Sequence, residues 1–132
     1  MSRENVEAVR RVYEGWGRGD LRVPAGLYDP HVLLVLRPEF PDAGAYCGPG
    51  EIREYTHQLL AAWENFAISG EDFLEAGDSV VVSVRQHGTG VGSGVPTDFR
   101  YFQVWTFRGA SVIRIESIRD RDGALQAVGL PR

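Results

Sequence analysis

The order of sequence patterns predicts an α+β fold. Helix-period stretches fill the first half of the chain, and strand-like segments divided by glycine turns fill the second. The strongest single element is Phe99 to Phe107, FRYFQVWTF, with five aromatics among nine residues and no Gly or Pro. Strand alternation puts Phe99, Tyr101, Gln103, Trp105 and Phe107 on one face, and Arg100, Phe102, Val104 and Thr106 on the other. The first face is a bulky apolar wall with one amide at its centre. Such a wall packs under a helix, lines a pocket, or does both.

Taken in order, residues 3 to 17 read as a helix with Val6, Val9, Val12, Tyr13 and Trp16 on one face. Ser2 suits the N-cap and Glu4 the first turn, and Gly17 and Gly19 end the helix. Leu21 to Tyr28 reads as a short second helical segment, weakened by Pro24 and Gly26. His31 to Arg37 is a continuous apolar strand, expected to be buried on both faces, after an Asp29-Pro30 turn. The Pro- and Gly-rich stretch that follows is a long loop with a strand fragment near Ala45 to Cys47, and it overhangs the pocket mouth.

Glu51 to Trp63 is the next helix, with Ile52, Tyr55, Leu59 and Trp63 on one side. Phe66 to Glu75 is irregular to extended, and Ser79 to Gly88 is a β-branched strand. Gly88, Gly90, Gly92 and Gly94 recur at every second position without the lysine of a phosphate loop, so they mark a twisted hairpin tip. Val112 to Arg119 is the last strand, and Asp120 to Arg132 is a helical tail stopped by Gly129. Residues 1–132 are read as one domain whose helices cover one sheet face, with aromatics on both sides holding a cavity open.

Composition excludes several function classes. The net charge is −4 and the basic residues form no stripe, which argues against nucleic acid as a partner. No apolar run approaches a membrane span, and the N-terminus lacks the apolar centre of a signal peptide, so the expected location is the cytoplasm. Cys47, as the one cysteine, cannot form an internal disulfide and is expected to be a small buried hydrophobe. His57 falls off its helix's apolar stripe and reads as a surface residue. No histidine pair has metal-ligand spacing, and no cofactor is implied.

The titratable candidates leave their faces open. Arg85 and His87 share one face of a strand, which is either the pocket or the outer surface. Glu116 and Asp120 share a face with Arg114 and Ile118, and Ser117 lies on the opposite one with Ile113 and Ile115. Glu39 and Asp42 in the long loop are either catalytic or simply solvated, and the solvated reading is favoured. Tyr13 either reaches a polar pocket or is a core aromatic with its hydroxyl in water.

Four stretches in this order carry a family resemblance: VRRVYEGWGRGDL (9–21), YDPHV (28–32), EFPDAGAYCGPGEIREY (39–55) and FQVWTFRGASVIRIESIRDRDGALQAVGL (102–130). Together they resemble the SnoaL-like group of the nuclear-transport-factor-2-like superfamily. The resemblance implies a cone, a strongly curved mixed or antiparallel sheet around three helices on the N-terminal side, with a pocket at the open end. It also implies dimerisation through the convex sheet face. Members include ketosteroid isomerases, polyketide cyclases and epoxide hydrolases, so the fold does not fix the function. By that resemblance Tyr13 matches the isomerases' oxyanion-donating tyrosine, and Gln103 stands where they carry a protonated acid. Leu34, Val35 and Leu36 occupy the place of their general base, which disfavours ketosteroid isomerisation. Asp120 matches the acid of the cyclases, and Arg85 with Glu116 or Asp120 is a weaker imitation of an epoxide-hydrolase set.

The expected pocket wall is thus Tyr13, Trp16, Leu27, Tyr55, Trp63, Phe99, Tyr101, Gln103 and Trp105, with Arg85, His87, Glu116 and Asp120 as polar candidates. The expected ligand is a small apolar molecule with a carbonyl or hydroxyl. For a cyclase- or isomerase-like enzyme, Asp120 or His87 is the base, and Tyr13 and Gln103 donate to the developing oxyanion. The alternative is a non-catalytic binding or association module of the same fold.

Overall fold

The computed structural model describes residues 2–131; the N-cap expected of the Ser2 side chain lies outside what it describes. The elements follow the order α1 (Ser2–Gly17), β1 (Tyr28–Leu36), β2 (Gly44–Cys47), α2 (Gly48–Ala62), β3 (Trp63–Ala76), β4 (Ser79–Gly90), β5 (Pro96–Arg108), β6 (Ser111–Ile118) and α3 (Arg121–Ala127). The strands form one open, six-stranded sheet in the order β2-β1-β6-β5-β4-β3. All neighbours pair antiparallel except β1 and β6, which run parallel. This is the expected α+β architecture, with three helices and a mixed sheet.

Alternation divides the sheet into two faces. The inner face buries Val80, Val82, Val84, Tyr101, Trp105 and Ile115 in one cluster with Val9, Val12, Tyr13 and Trp16 of α1 and Ile52 of α2. The outer face buries Val81, Val104 and Ile118 beneath Ala124 of α3. The β3–β4 pairing shifts register between Glu64 and Ala67 and between Gly70 and Asp72, and such bulges bend a sheet and increase its twist. Gly70 has a packing reason to be glycine. A Cβ there would stand 2.5 Å from the Phe73 ring and 3.1 Å from the Tyr13 ring, so its absence lets α1 lie directly on the strand.

Several elements differ from the sequence reading. Residues 21–27 form no helix, and Tyr28 is the first residue of β1. Pro24 lacks the N–H a helix needs and Gly26 has a φ of +84°, so the segment turns back on itself through a Leu27 N–H to Pro24 carbonyl bond. The third helix is instead the C-terminal α3. The stretch read as irregular is the 14-residue β3. In β1, Val32, Leu34 and Leu36 are buried while Leu33 and Val35 are only half-buried, so one face is core and not both. Cys47 is exposed, because it ends the short edge strand β2. The hairpin tip between β4 and β5 does fall at the glycine run, with Gly92 and Gly94 at φ +88° and +68°.

Candidate functional site

The inner face, the segment 19–28, the loop after β1 and α2 enclose a cavity of about 1130 Å³. That is large enough for a drug-sized ligand. Its wall is mainly aromatic and aliphatic, and it includes the expected Trp16, Tyr55, Trp63, Phe99, Tyr101 and Gln103. Residues 21–24 line it as an extended strap, a role the absent helix had hidden.

Tyr13 and Trp105 stand behind this wall and do not line it. They are 3% and 0% exposed, and they are tied into a chain of hydrogen bonds that ends at the cavity floor. The Trp105 indole N–H donates to the Tyr13 hydroxyl oxygen at 2.9 Å. The Tyr13 hydroxyl donates to the Gln103 Oε1. Gln103 Nε2 in turn donates to Ser117 Oγ at 3.1 Å. Burial pushes the Tyr13 phenol well above its ordinary value, so it remains protonated and keeps donating to Gln103. The oxyanion-donor role expected of Tyr13 is therefore corrected: its one proton is spent on Gln103, and it fixes the amide from behind. Gln103 is the member of that pair that faces the cavity, with Ser117 beside it. Leu27 packs on the core without lining the cavity.

Register settles the open candidates. Gln86 faces the cavity, where its Oε1 accepts the Tyr101 hydroxyl at 2.9 Å. Its neighbours Arg85 and His87 therefore point to the outer face. There Arg85 pairs with Asp98, its Nε donating at 2.9 Å, and Arg100 pairs with Glu71 at the same distance. Ser117 lines the cavity, so Glu116 points outward, where it binds Arg37 at 2.8 Å and Arg114 at 3.5 Å. Asp120 is exposed and caps α3, accepting the Gly123 backbone N–H at 2.7 Å. The base roles expected of Asp120 and His87, and the ligand contacts expected of Arg85 and Glu116, are thus corrected: each lies outside the cavity.

The sequence left Asp42 between a catalytic and a solvated reading. It lines the cavity, and its Oδ2 accepts the Tyr55 hydroxyl. Burial first, then that bond and the Asp42 charge, push the Tyr55 phenol far up, and burial with the same charge raises Tyr101. Only long-range contact between a loop and α2 makes this pair, and no periodicity in the sequence signals it. His57, read as surface, is exposed at the cavity's edge. The Trp16 indole nitrogen is buried with no hydrogen-bond partner among the described residues, although Trp16 lines the cavity. Among the described residues no group of three or more His, Cys, Asp or Glu is placed to hold a metal ion, and no helix is long and apolar enough to cross a membrane.

Comparison with known proteins follows the same outline. The profile of a SnoaL-like domain matches residues 9–115. An NTF2-like protein from Burkholderia thailandensis superposes with a TM-score of 0.78 at 23% identity, covering 96% of this chain and 98% of its own. A protein of Jannaschia sp. CCS1 assigned to the SnoaL-like polyketide cyclases gives 0.73 at 22% identity, covering 100% of this chain and 96% of its own. TerC, co-crystallised with polyporic acid, gives 0.73 at 24% identity over 94% of this chain and 96% of its own. At these identities the likeness shows the fold alone. No curated protein sequence matches this chain.

Proposed function

We propose, from the premise that this chain belongs to the SnoaL-like domain family, that its cavity binds a small, apolar, ring-bearing molecule through one carbonyl or hydroxyl. The observation that carries this is the neutral polar spot among the aromatic and aliphatic residues of the sheet wall: Gln103 with Ser117, held in place from behind by Tyr13 and Trp105. An apolar ligand gains from leaving water, and a single buried amide and hydroxyl fix its orientation. Gln103 Nε2 carries two hydrogens and spends one on Ser117, so the second is available to a ligand oxygen. The Trp16 indole N–H, buried and without a partner among the described residues, is a further donor at the same cavity.

The test is a thermal-shift screen against steroids, polyketide-like aromatics and terpenoid epoxides. Polyporic acid, the compound crystallised with one neighbour, is the first addition to the panel. A binder present at one hundred times its dissociation constant stabilises by about 2.7 kcal/mol. The ligand-induced shift is expected to shrink in Gln103→Leu and to persist in Arg85→Ala, each compared with its own ligand-free protein. A shift that survives Gln103→Leu unchanged removes the amide from the site. A panel without binders counts against an apolar ring ligand altogether.

A further inference from the structure

We propose that Gln86 is a second anchor of the cavity, at the opposite end of the ligand from Gln103, so that the pocket selects an elongated ring-bearing molecule with an acceptor oxygen at each end. This rests on the cavity being a binding site for apolar carbonyl compounds, and adds to that reading a length and a second polar contact. Gln86 of β4 and Gln103 of β5 both line the cavity. Gln103 pairs across the strands with Val82, and Gln86 pairs with Phe99. The step along β4 from Val82 to Gln86 places the two amides' Cα atoms about 13 Å apart in the strand direction. Gln103 is buried and Gln86 only half-buried. Between them on the same face stand Tyr101 and Phe99, whose rings stack with centroids 5.3 Å apart and planes at 27°. Both rings line the cavity, so an aromatic ledge joins one amide to the other.

A tyrosine holds each amide in one orientation. An indole N–H can only donate, so the Tyr13 oxygen that accepts from Trp105 sends its own proton on to Gln103 Oε1. The Tyr101 hydroxyl does the same for Gln86, donating to its Oε1 at 2.9 Å. Burial, and after it the Asp42 charge, raises the Tyr101 phenol, so it keeps the proton it donates.

Both amide oxygens are thereby used, and what the two glutamines still offer is N–H. Gln103 has one hydrogen left beside the one given to Ser117. Gln86 has both, since its Nε2 has no partner among the described residues. A carbonyl oxygen at either end of the ledge meets a donor. An apolar group at the Gln86 end leaves that donor without a partner, and a second donor there finds no amide oxygen to accept it.

Three small probes test the second anchor. 4,4′-Diacetylbiphenyl carries a carbonyl at each end of two linked rings. 4-Acetyl-4′-isopropylbiphenyl has the same length and shape, with a methyl in place of one oxygen. 5-Nitroindazole is a compact ring system too short to bridge the two amides. Dissociation constants are measured for the wild type and for Gln86→Met, which keeps the side chain's length and removes its donors. The ratio of the isopropyl compound's constant to the diacetyl compound's is expected to fall roughly three- to tenfold in Gln86→Met, as the loss of one hydrogen bond implies. The isopropyl compound and 5-nitroindazole should bind both proteins equally. In the wild type itself, the Gln86 side-chain amide signal should move further with the diacetyl compound than with the isopropyl one. Equal movement overturns the contact without recourse to a variant. An unchanged ratio in Gln86→Met, with 5-nitroindazole bound by both proteins, overturns Gln86 as an anchor and leaves the Gln103 site standing. An equal loss for both biphenyls makes Gln86 a packing residue and overturns the proposal too. Biphenyls that fail to bind while 5-nitroindazole binds overturn the elongated class alone. Failure of all three overturns the cavity as a site for such rings, and the second anchor with it.

Discussion

The two faces of β4, β5 and β6 are built from alternating residues of the same strands, yet they obey different chemistry. The inner face carries Gln86, Tyr101, Gln103 and Ser117, all neutral and mutually hydrogen-bonded or bonded to Tyr13. The outer face carries Arg85 with Asp98, Arg100 with Glu71, and Glu116 with Arg37. The cause is desolvation: a charge beside the aromatic core would be expensive, whereas a neutral amide with its partners satisfied is tolerated. A charge on the outer face keeps its water and needs little from its partner. A strand of this sheet therefore keeps its ionic residues away from the cavity and turns its neutral ones toward it.

The largest effect that would separate the faces is loss of the inner wall. Trp105→Ala removes a fully buried indole and is expected to cost about 3–5 kcal/mol, read as a lower urea midpoint. An effect no larger than that of an outer-face substitution would contradict the assignment of Trp105 to the core.

Tyr13→Phe comes next. It strips one oxygen that both accepts from Trp105 and donates to Gln103, leaving two buried polar groups unpaired. The expected cost is about 1–3 kcal/mol. Adding Gln103→Leu should cost less than the sum of the two single changes, since the amide no longer lacks its donor. Strict additivity would show that the two side chains do not form one network.

Asp120→Ala should cost about 1 kcal/mol through the lost cap of α3. Binding of 5-nitroindazole should stay unchanged, and weakened binding would return Asp120 to the site.

The smallest effects belong to the outer-face pairs. Hydrogen bonds from Arg85 and Arg100 hold the carboxyls of Asp98 and Glu71 below their ordinary values of 3.8 and 4.5. A depressed folded-state pKa means that the stabilisation is present above those ordinary values and is lost as pH falls from them through the lower folded-state ones. Double substitution Arg85→Ala, Arg100→Ala should therefore lower the melting temperature slightly at pH 7, and the difference from wild type should vanish as pH falls below the ordinary carboxyl values. High salt should mask even that difference. A large loss at pH 7 would mean that these pairs are less solvated than they look.

The sequence made one half of this comparison readable. The period-2 run from Phe99 to Phe107 has large apolar side chains on one side, so its inner face was plain, and Gln103 stood out within it. Arg85, Gln86 and His87 are three polar residues in succession, so alternation could not say which faces inward. Glu116 and Ser117 posed the same difficulty beside isoleucines on both sides. The segment 21–28 read as a helix weakened by Pro24 and Gly26, and in the structure these two residues decide its backbone. Asp42 read more readily as solvated than as catalytic because its partner Tyr55 lies on another element, a contact no local pattern encodes.

The central claim, that ligands enter the neutral inner face, is tested most directly by a ¹⁵N-NMR titration with 5-nitroindazole. The chain has three tryptophans, whose indole N–H signals report separate places. Trp16 and Trp63 line the cavity, while Trp105 lies behind Gln103 with its N–H on Tyr13. The indole signals of Trp16 and Trp63 and the side-chain amide of Gln103 are expected to shift with one common dissociation constant, the Trp105 signal much less, and the Arg85 and Arg100 side-chain N–H signals not at all. Shifts confined to Arg85, Arg100 and His87 would place the ligand on the outer face and contradict the account.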